Sequence, residues 1–251
     1  MISSYRKEGT IHILLQSSVN KLSQSFSLKL AEHLKEADSD KHCKVIVVSS
    51  ENPKAFCVGA AIDELISLDP NAIDLWLAPW EVVSTLSKPI IMALDGYVLG
   101  GGLEIAMMGD ILIATDRALM GQPEIKLALL PGCGGTLRLT ELIGYHRSFE
   151  MCATGEIISA QKAYEWGLVN TIVKPDELLS KAFDIAKKIE ALSGPAIQSI
   201  KRILKNLYDS NTPHTHHLQK EREAFKNLFL RKDAHEGMTA FLSKTTPLFK
   251  D

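Results

Sequence analysis

Residues 88–124, KPIIMALDGYVLGGGLEIAMMGDILIATDRALMGQPE, set a run of three glycines and two glutamates inside an otherwise apolar segment. Residues 89–94 are a short apolar run closed by Asp95-Gly96, the pattern of a fully buried strand ending in a turn. Gly100, Gly101 and Gly102 follow, then residues 103–108, short for a helix but apolar enough for a buried one. Glycines ahead of a helix let the backbone approach a ligand closely. They also leave the first N–H groups unpaired at the positive end of the helix dipole, which makes Gly101 part of an anion-stabilising site.

Glu104 lies one turn inside that helix, flanked by Leu103, Ile105, Ala106, Met107 and Met108, with no charged partner near it in sequence. Burial there raises a carboxylate's pKa. Glu124 follows Pro123 between two further apolar stretches. By spacing alone the plainer reading is favoured, with Glu104 a satisfied helix residue and Glu124 a helix-start acid after Pro123.

The chain of 251 residues, 45% hydrophobic and 23% charged, can bury a sizeable core and has room for one large domain with an appendage. A formal net charge of −2 without a dense basic block argues against a nucleic-acid polyanion as main ligand. The first residues lack the apolar core of a secretory signal and the Arg-rich character of a transit peptide, so a cytoplasmic protein is expected. No apolar run approaches the roughly 18 residues needed to span a bilayer. Cys43, Cys57, Cys133 and Cys152 lack the paired short spacing of a zinc site and read as reduced thiols. His214, His216 and His217 form an incomplete metal shell and read as exposed loop histidines, so no metal is expected.

In chain order, residues 10–15 read as a strand, 17–20 as a polar turn, 25–36 as a helix and 45–48 as a buried β-branched strand. Residues 51–61 are a loop whose small apolar tip, 57–61, suits a close backbone contact. Pro70 and Pro79 break residues 64–86 into two helical pieces around a mobile loop. Trp76 and Trp80 in that stretch read as core, or else as an apolar wall for a substrate tail. Helices at 136–143, 159–166 and 176–192 and a strand at 168–173 continue an α/β core over residues 1–194, followed by a helical appendage at 195–251. Its charge-rich helix at 218–231 reads as a solvated face. Ser-His-Asp and Cys-His constellations, Walker-type loops and dinucleotide fingerprints are absent.

Four blocks together resemble the signature of the crotonase, or enoyl-CoA hydratase/isomerase, family: 54–60 (KAFCVGA), 95–104 (DGYVLGGGLE), 121–124 (GQPE) and 131–135 (PGCGG). Their order and spacing overturn the plainer reading of the two glutamates. The resemblance implies a spiral of repeated ββα units with a helical C-terminal region that mediates homotrimers or dimers of trimers. It implies an acyl-CoA thioester as substrate, with coenzyme A part of that substrate and no other cofactor, in fatty acid metabolism.

In this family two backbone amides hold the thioester oxygen, by position those of Ala60 and Gly101. Hydratases of the family carry an acid in each block where Glu104 and Glu124 stand. Glu104 is thereby implied to activate the water that attacks the β-carbon, and Glu124 to hold that water and protonate the α-carbon. Gly59, Ile62, Leu65, Gly100, Pro123 and Gly132 are implied substrate contacts, with Phe241 and Lys244 reaching a neighbouring subunit's coenzyme A. The chain departs from the family pattern at Ala61, where Asp is common, and in lacking the usual Asn-Arg-Pro turn after the first strand. The competing expectations are a Δ3,Δ2-enoyl-CoA isomerase, a hydratase of a specialised or carrier-bound acyl group, and a non-catalytic, RNA-binding relative.

Overall fold

A computed structural model describes the backbone of residues 1–206 and 214–250, and the side chains of 1–205 and 219–250. The chain opens with β1 (Ile2–Lys7), antiparallel to β2 (Thr10–Leu15), and continues through α1 (Gln24–Ser39), whose N-cap Ser23 accepts a hydrogen bond from the Phe26 N–H. Three ββα turns follow. The first is β3 (Val45–Ser50), β4 (Ala55–Cys57), α2 (Ile62–Leu65) and α3 (Ile73–Thr85). The second is β5 (Ile90–Leu94), β6 (Tyr97–Leu99) and α4 (Gly101–Ala106). In the third, β7 (Ile111–Thr115) and β8 (Leu119–Gly121) lead through a 3₁₀ turn at Pro123–Leu127 to α5 (Gly135–Ile143) and α6 (Tyr145–Thr154). Then come β9 (Ile157–Ser159), α7 (Ala160–Glu165), β10 (Thr171–Val173), α8 (Leu178–Glu190), α9 (Gly194–Asn206), α10 (His214–Phe229) and α11 (Lys232–Ser243).

Because each turn gives one strand to each of two sheets, the chain winds as a spiral. One sheet runs β1-β2-β3-β5-β7-β10 and the other β4-β6-β8-β9, parallel except at the β1-β2 and β8-β9 pairs. Side-chain alternation divides the larger sheet between two cores. Val45, Val47, Ile91, Ala93 and Ile113 pack beneath Leu178, Ala182 and Ala186 of α8. Ile46, Val48, Ile90, Met92 and Leu94 face the larger interior. Strands buried on both faces are continuous apolar runs, which is why β3 and β5 are legible as strands from their residues alone.

Pro79 does not break its segment: it lies inside α3, on the buried face formed with Trp76, Trp80 and Val83. A mid-helix proline costs about 3 kcal/mol. Each buried indole removes about 150–250 Å² from water, roughly 4–6 kcal/mol at about 25 cal/mol/Å², so the two together outweigh that loss. Pro70 opens a separate 3₁₀ turn, Pro70–Ala72, capped by Asp69. Both tryptophans are core residues.

The C-terminal helices are tied to the strands by Lys201 of α9, 7% exposed, which donates to the Lys88 carbonyl at 2.6 Å and pairs with Asp110 at 2.7 Å. Backbone at 214–217 is helical and not the loop expected for the three histidines, whose side chains lie outside the described residues. Among the described residues no helix is long and apolar enough to cross a membrane.

Candidate active site

The β5-β6 corner is fixed by Asp95, which accepts hydrogen bonds from the Gly96 N–H, the Thr115 hydroxyl and two nitrogens of Arg117 at 2.6–2.9 Å. From there β6 runs into Gly100, whose φ of 54° lies in the region that side chains disfavour. Its N–H donates to the Gly121 carbonyl at 2.9 Å, so β8 and the start of α4 are held together.

Two amides meet at this point. Leu22 forms a parallel bridge with Ala60, donating to the Gly59 carbonyl at 2.9 Å and accepting from the Ala61 N–H at 3.1 Å. That alternation turns the Ala60 N–H away from Leu22. Gly101 opens α4, where first-turn N–H groups have no partner within the helix. Among the described residues neither amide donates to a backbone carbonyl. A Cβ built on Gly101 would lie 3.9 Å from the Ala60 nitrogen, so the two donors are adjacent and can hold one oxygen that gains negative charge.

The two glutamates reach the same region from different elements. Glu104, 2% exposed, projects from α4, and its Oε1 accepts the Cys133 N–H at 2.6 Å and the Gly135 N–H at 2.7 Å. Burial pushes its carboxyl above the usual range, opposed by these amides and by the Arg138 guanidinium. Glu124 stands on the 3₁₀ turn opened by Pro123, with Oε1 2.7 Å from where a Cβ on Gly100 would be. Burial raises it to about 7; its own backbone N–H draws it down and the nearby charge of Glu104 adds to the rise. Oriented with its nitrogen inward, the buried Gln122 amide donates to both Glu124 oxygens at 3.1 Å. A polar pair in such surroundings can move a proton onto and off a bound molecule.

Of the other expected residues, Gly59 and Gly100 form the backbone around the two amides, and Pro123 leads into Glu124. Gly132 is exposed beside the 133–135 turn, with nothing within 4 Å of a built Cβ. Ile62 is 45% exposed at the start of α2 and Leu65 half-buried at its end. Phe241 and Lys244 are not brought to the carboxylates: they stand exposed at the end of α11, which packs on α10. Ala61, where an acid is common, is 3% exposed and bonded to Leu22 through its backbone.

Four contributors escape a reading of the residues in order. The Cys133 and Gly135 amides meet Glu104, and the Arg138 charge acts on it, from about thirty residues away in sequence, where no charged partner stands near it along the chain. Asn20, read as part of a polar turn, is fully buried at φ 48°. It donates to the Phe56 carbonyl and to Ser50 at 2.9 Å and accepts the Ser17 N–H, pinning the strand that leads to Gly59. An asparagine therefore anchors this connection even without the full Asn-Arg-Pro turn. Among the described residues no group of three His, Cys, Asp or Glu could hold a metal ion.

This spiral of ββα turns, with two amides at the mouth of α4, is the crotonase fold. The chain belongs to the enoyl-CoA hydratase/isomerase family, whose model matches residues 6–251. It is 36% identical to a probable enoyl-CoA hydratase of Mycobacterium leprae, over 99% of this chain and 96% of that one. It is 35% identical to the 2,3-dehydroadipyl-CoA hydratase of Escherichia coli, over 92% and 90% respectively. A crystal structure of an enoyl-CoA hydratase subunit from Geobacillus kaustophilus superposes with a TM-score of 0.95 at 33% identity, covering 99% of this chain and 97% of the other.

Proposed function

We propose that the protein is a hydro-lyase that adds water across the double bond of a 2-enoyl-CoA to give the 3-hydroxyacyl-CoA. The observation that carries this reading is the convergence of one buried and one half-buried carboxylate with two amides that no backbone carbonyl takes up. The Ala60 and Gly101 N–H groups hold the thioester oxygen as it gains negative charge on attack. A single oxyanion donor is typically worth about 2.7–4 kcal/mol of barrier. Glu104, held by two amides and facing Arg138, is the carboxylate that orients water against the β-carbon and takes its proton. Glu124, raised to about 7, is the acid that delivers a proton to the α-carbon. The hydroxyl ends on C3 and the hydrogen on C2, leaving no net change in oxidation and requiring no redox cofactor. Named relatives hydrate enoyl and 2,3-dehydroadipyl thioesters, which supports an acyl-CoA substrate.

Loss of the conjugated-enoyl-thioester absorbance, with a product heavier by one water, is the expected result with a short 2-enoyl-CoA after exhaustive chelation. Activity restored only by a divalent ion would refute the metal-free route. Migration of a 3-enoyl double bond without hydration would replace the reading with the isomerase.

We also infer self-association through the C-terminal helices, resting on the apolar side chains that α10, α11 and their junction leave exposed. Phe225, Phe229, Leu230, Phe241 and Leu242 are each 56–83% exposed. A trimer or a dimer of trimers covers this face and brings Phe241 and Lys244 to a neighbour's coenzyme A. Light scattering is expected to return a trimer mass or its double, and a monomer at working concentration counts against it.

A further inference from the structure

Arg138 occupies the first turn of α5, where a cation opposes the positive end of the helix dipole. Its position is not one that helix formation favours. The guanidinium turns back over the helix start instead of toward solvent: Nη1 donates to the Cys133 carbonyl at 2.5 Å. Gly134, at φ 87°, leaves the space it fills, since a Cβ there would lie 2.5 Å from the same nitrogen. The residue whose carbonyl Arg138 grips is the one whose N–H meets Glu104 at 2.6 Å, and the second donor to Glu104 is Gly135, two residues on.

We propose that Arg138 is a positioning residue for the hydration assigned to Glu104 and Glu124 above: it clamps the 131–135 turn so that the Cys133 and Gly135 amides face Glu104, and its positive charge favours the carboxylate form of Glu104. This assignment of Glu104 and Glu124 rests on that reading of the site. Other groups within electrostatic reach do not take over the role. Glu104 is also faced by Glu124 from the 3₁₀ turn, by the Cys133 thiol and by Cys152 of α6, and burial pushes both thiols up, so they stay neutral. Arg138 is faced by Glu141 on its own helix and by Lys205 of α9. Lys205 is a like charge, and among the described residues Glu141 makes no hydrogen bond to the clamped turn.

The test uses the full chain with Arg138→Met and Arg138→Lys, read in two ways. Carbon-13 titration of the ligand-free protein, with the Glu104 signal assigned by its loss in Glu104→Gln, follows the carboxyl directly. In Arg138→Met the Glu104 midpoint is expected to rise by about one unit, as loss of a neighbouring opposite charge requires. The acid limb of the kcat profile should move up with it, and kcat should fall by about 10- to 100-fold while acyl-CoA binding stays within about threefold. Arg138→Lys is expected to return the midpoint toward wild type without restoring all of kcat, because a flexible ammonium lacks the rigid plane that sets Nη1 on the carbonyl. An unmoved Glu104 midpoint in folded Arg138→Met overturns the proposal. If the Met variant does not fold, full kcat in Arg138→Lys overturns it instead. A wild-type protein that fails to hydrate enoyl-CoA refutes the reaction, whereas the ligand-free midpoint still decides Arg138.

Discussion

Glu104→Gln and Glu124→Gln are each expected to lower kcat by about 10² to 10⁴, the range for loss of a general acid or base, with thioester binding largely intact. Each substitution keeps the side chain's shape and removes its charge. The Cys133 and Gly135 amides, 2.6 and 2.7 Å from Glu104 Oε1, can still meet the amide oxygen of a glutamine there, so the loss reports chemistry and not collapse of the turn. If one water is shared between the two groups, as proposed, the double variant should be little worse than the poorer single one. The pH profile carries the same information. With Glu124 at about 7 and acting as the proton donor, kcat should fall as pH rises through that value, and Glu124→Gln should lose this alkaline limb. Near-full hydration by Glu124→Gln would make Glu124 a structural acid and favour the one-carboxylate isomerase.

How far the molecule was legible in its residues depends on whether a feature is local. The glycine run, the turn at Asp95-Gly96 and the apolar strands β3 and β5 announce themselves, because burial on both faces and tight backbone geometry restrict residue choice over a few consecutive positions. β1 does not: its sequence ISSYRK is half-exposed to exposed throughout and carries no apolar alternation, so only pairing with β2 makes it a strand. β6, β8 and β9 have three residues each, too few to show a period, and α6 falls between the expected helices at 136–143 and 159–166, past the Gly144 that ends α5. The site divides the same way. Glu104 and Glu124 are visible in their blocks, but what distinguishes their protonation arrives through space from Cys133, Gly135 and Arg138. Asn20 looked like any polar turn residue, and only the fold shows it buried and holding the strand before Gly59.

Gly59→Ala should cut kcat by about 10² to 10³ with only a modest change in acyl-CoA affinity, because the added methyl would enter the space between the two amides. At φ 88°, its Cβ would lie 3.0 Å from the Leu99 carbonyl oxygen and 3.2 Å from the Gly101 nitrogen, both backbone atoms with little freedom to yield. The segments carrying Ala60 and Gly101 must therefore separate, and an oxygen that accepted from both would lose one donor, worth about 2.7–4 kcal/mol of barrier. Contacts to the remote nucleotide end of the substrate are untouched, so the loss should appear in kcat and not in binding. Strain alone cannot account for such a result if a matched control behaves differently. Gly144, at φ 83° between α5 and α6, has nothing within 4 Å of a built Cβ, so Gly144→Ala carries a positive-φ backbone penalty of about 1–3 kcal/mol without the clash. Both variants should lose melting temperature, Gly59→Ala the more because of its clash, while only Gly59→Ala loses turnover. Full kcat in a folded Gly59→Ala protein would mean that the Ala60 and Gly101 amides do not act on one oxygen.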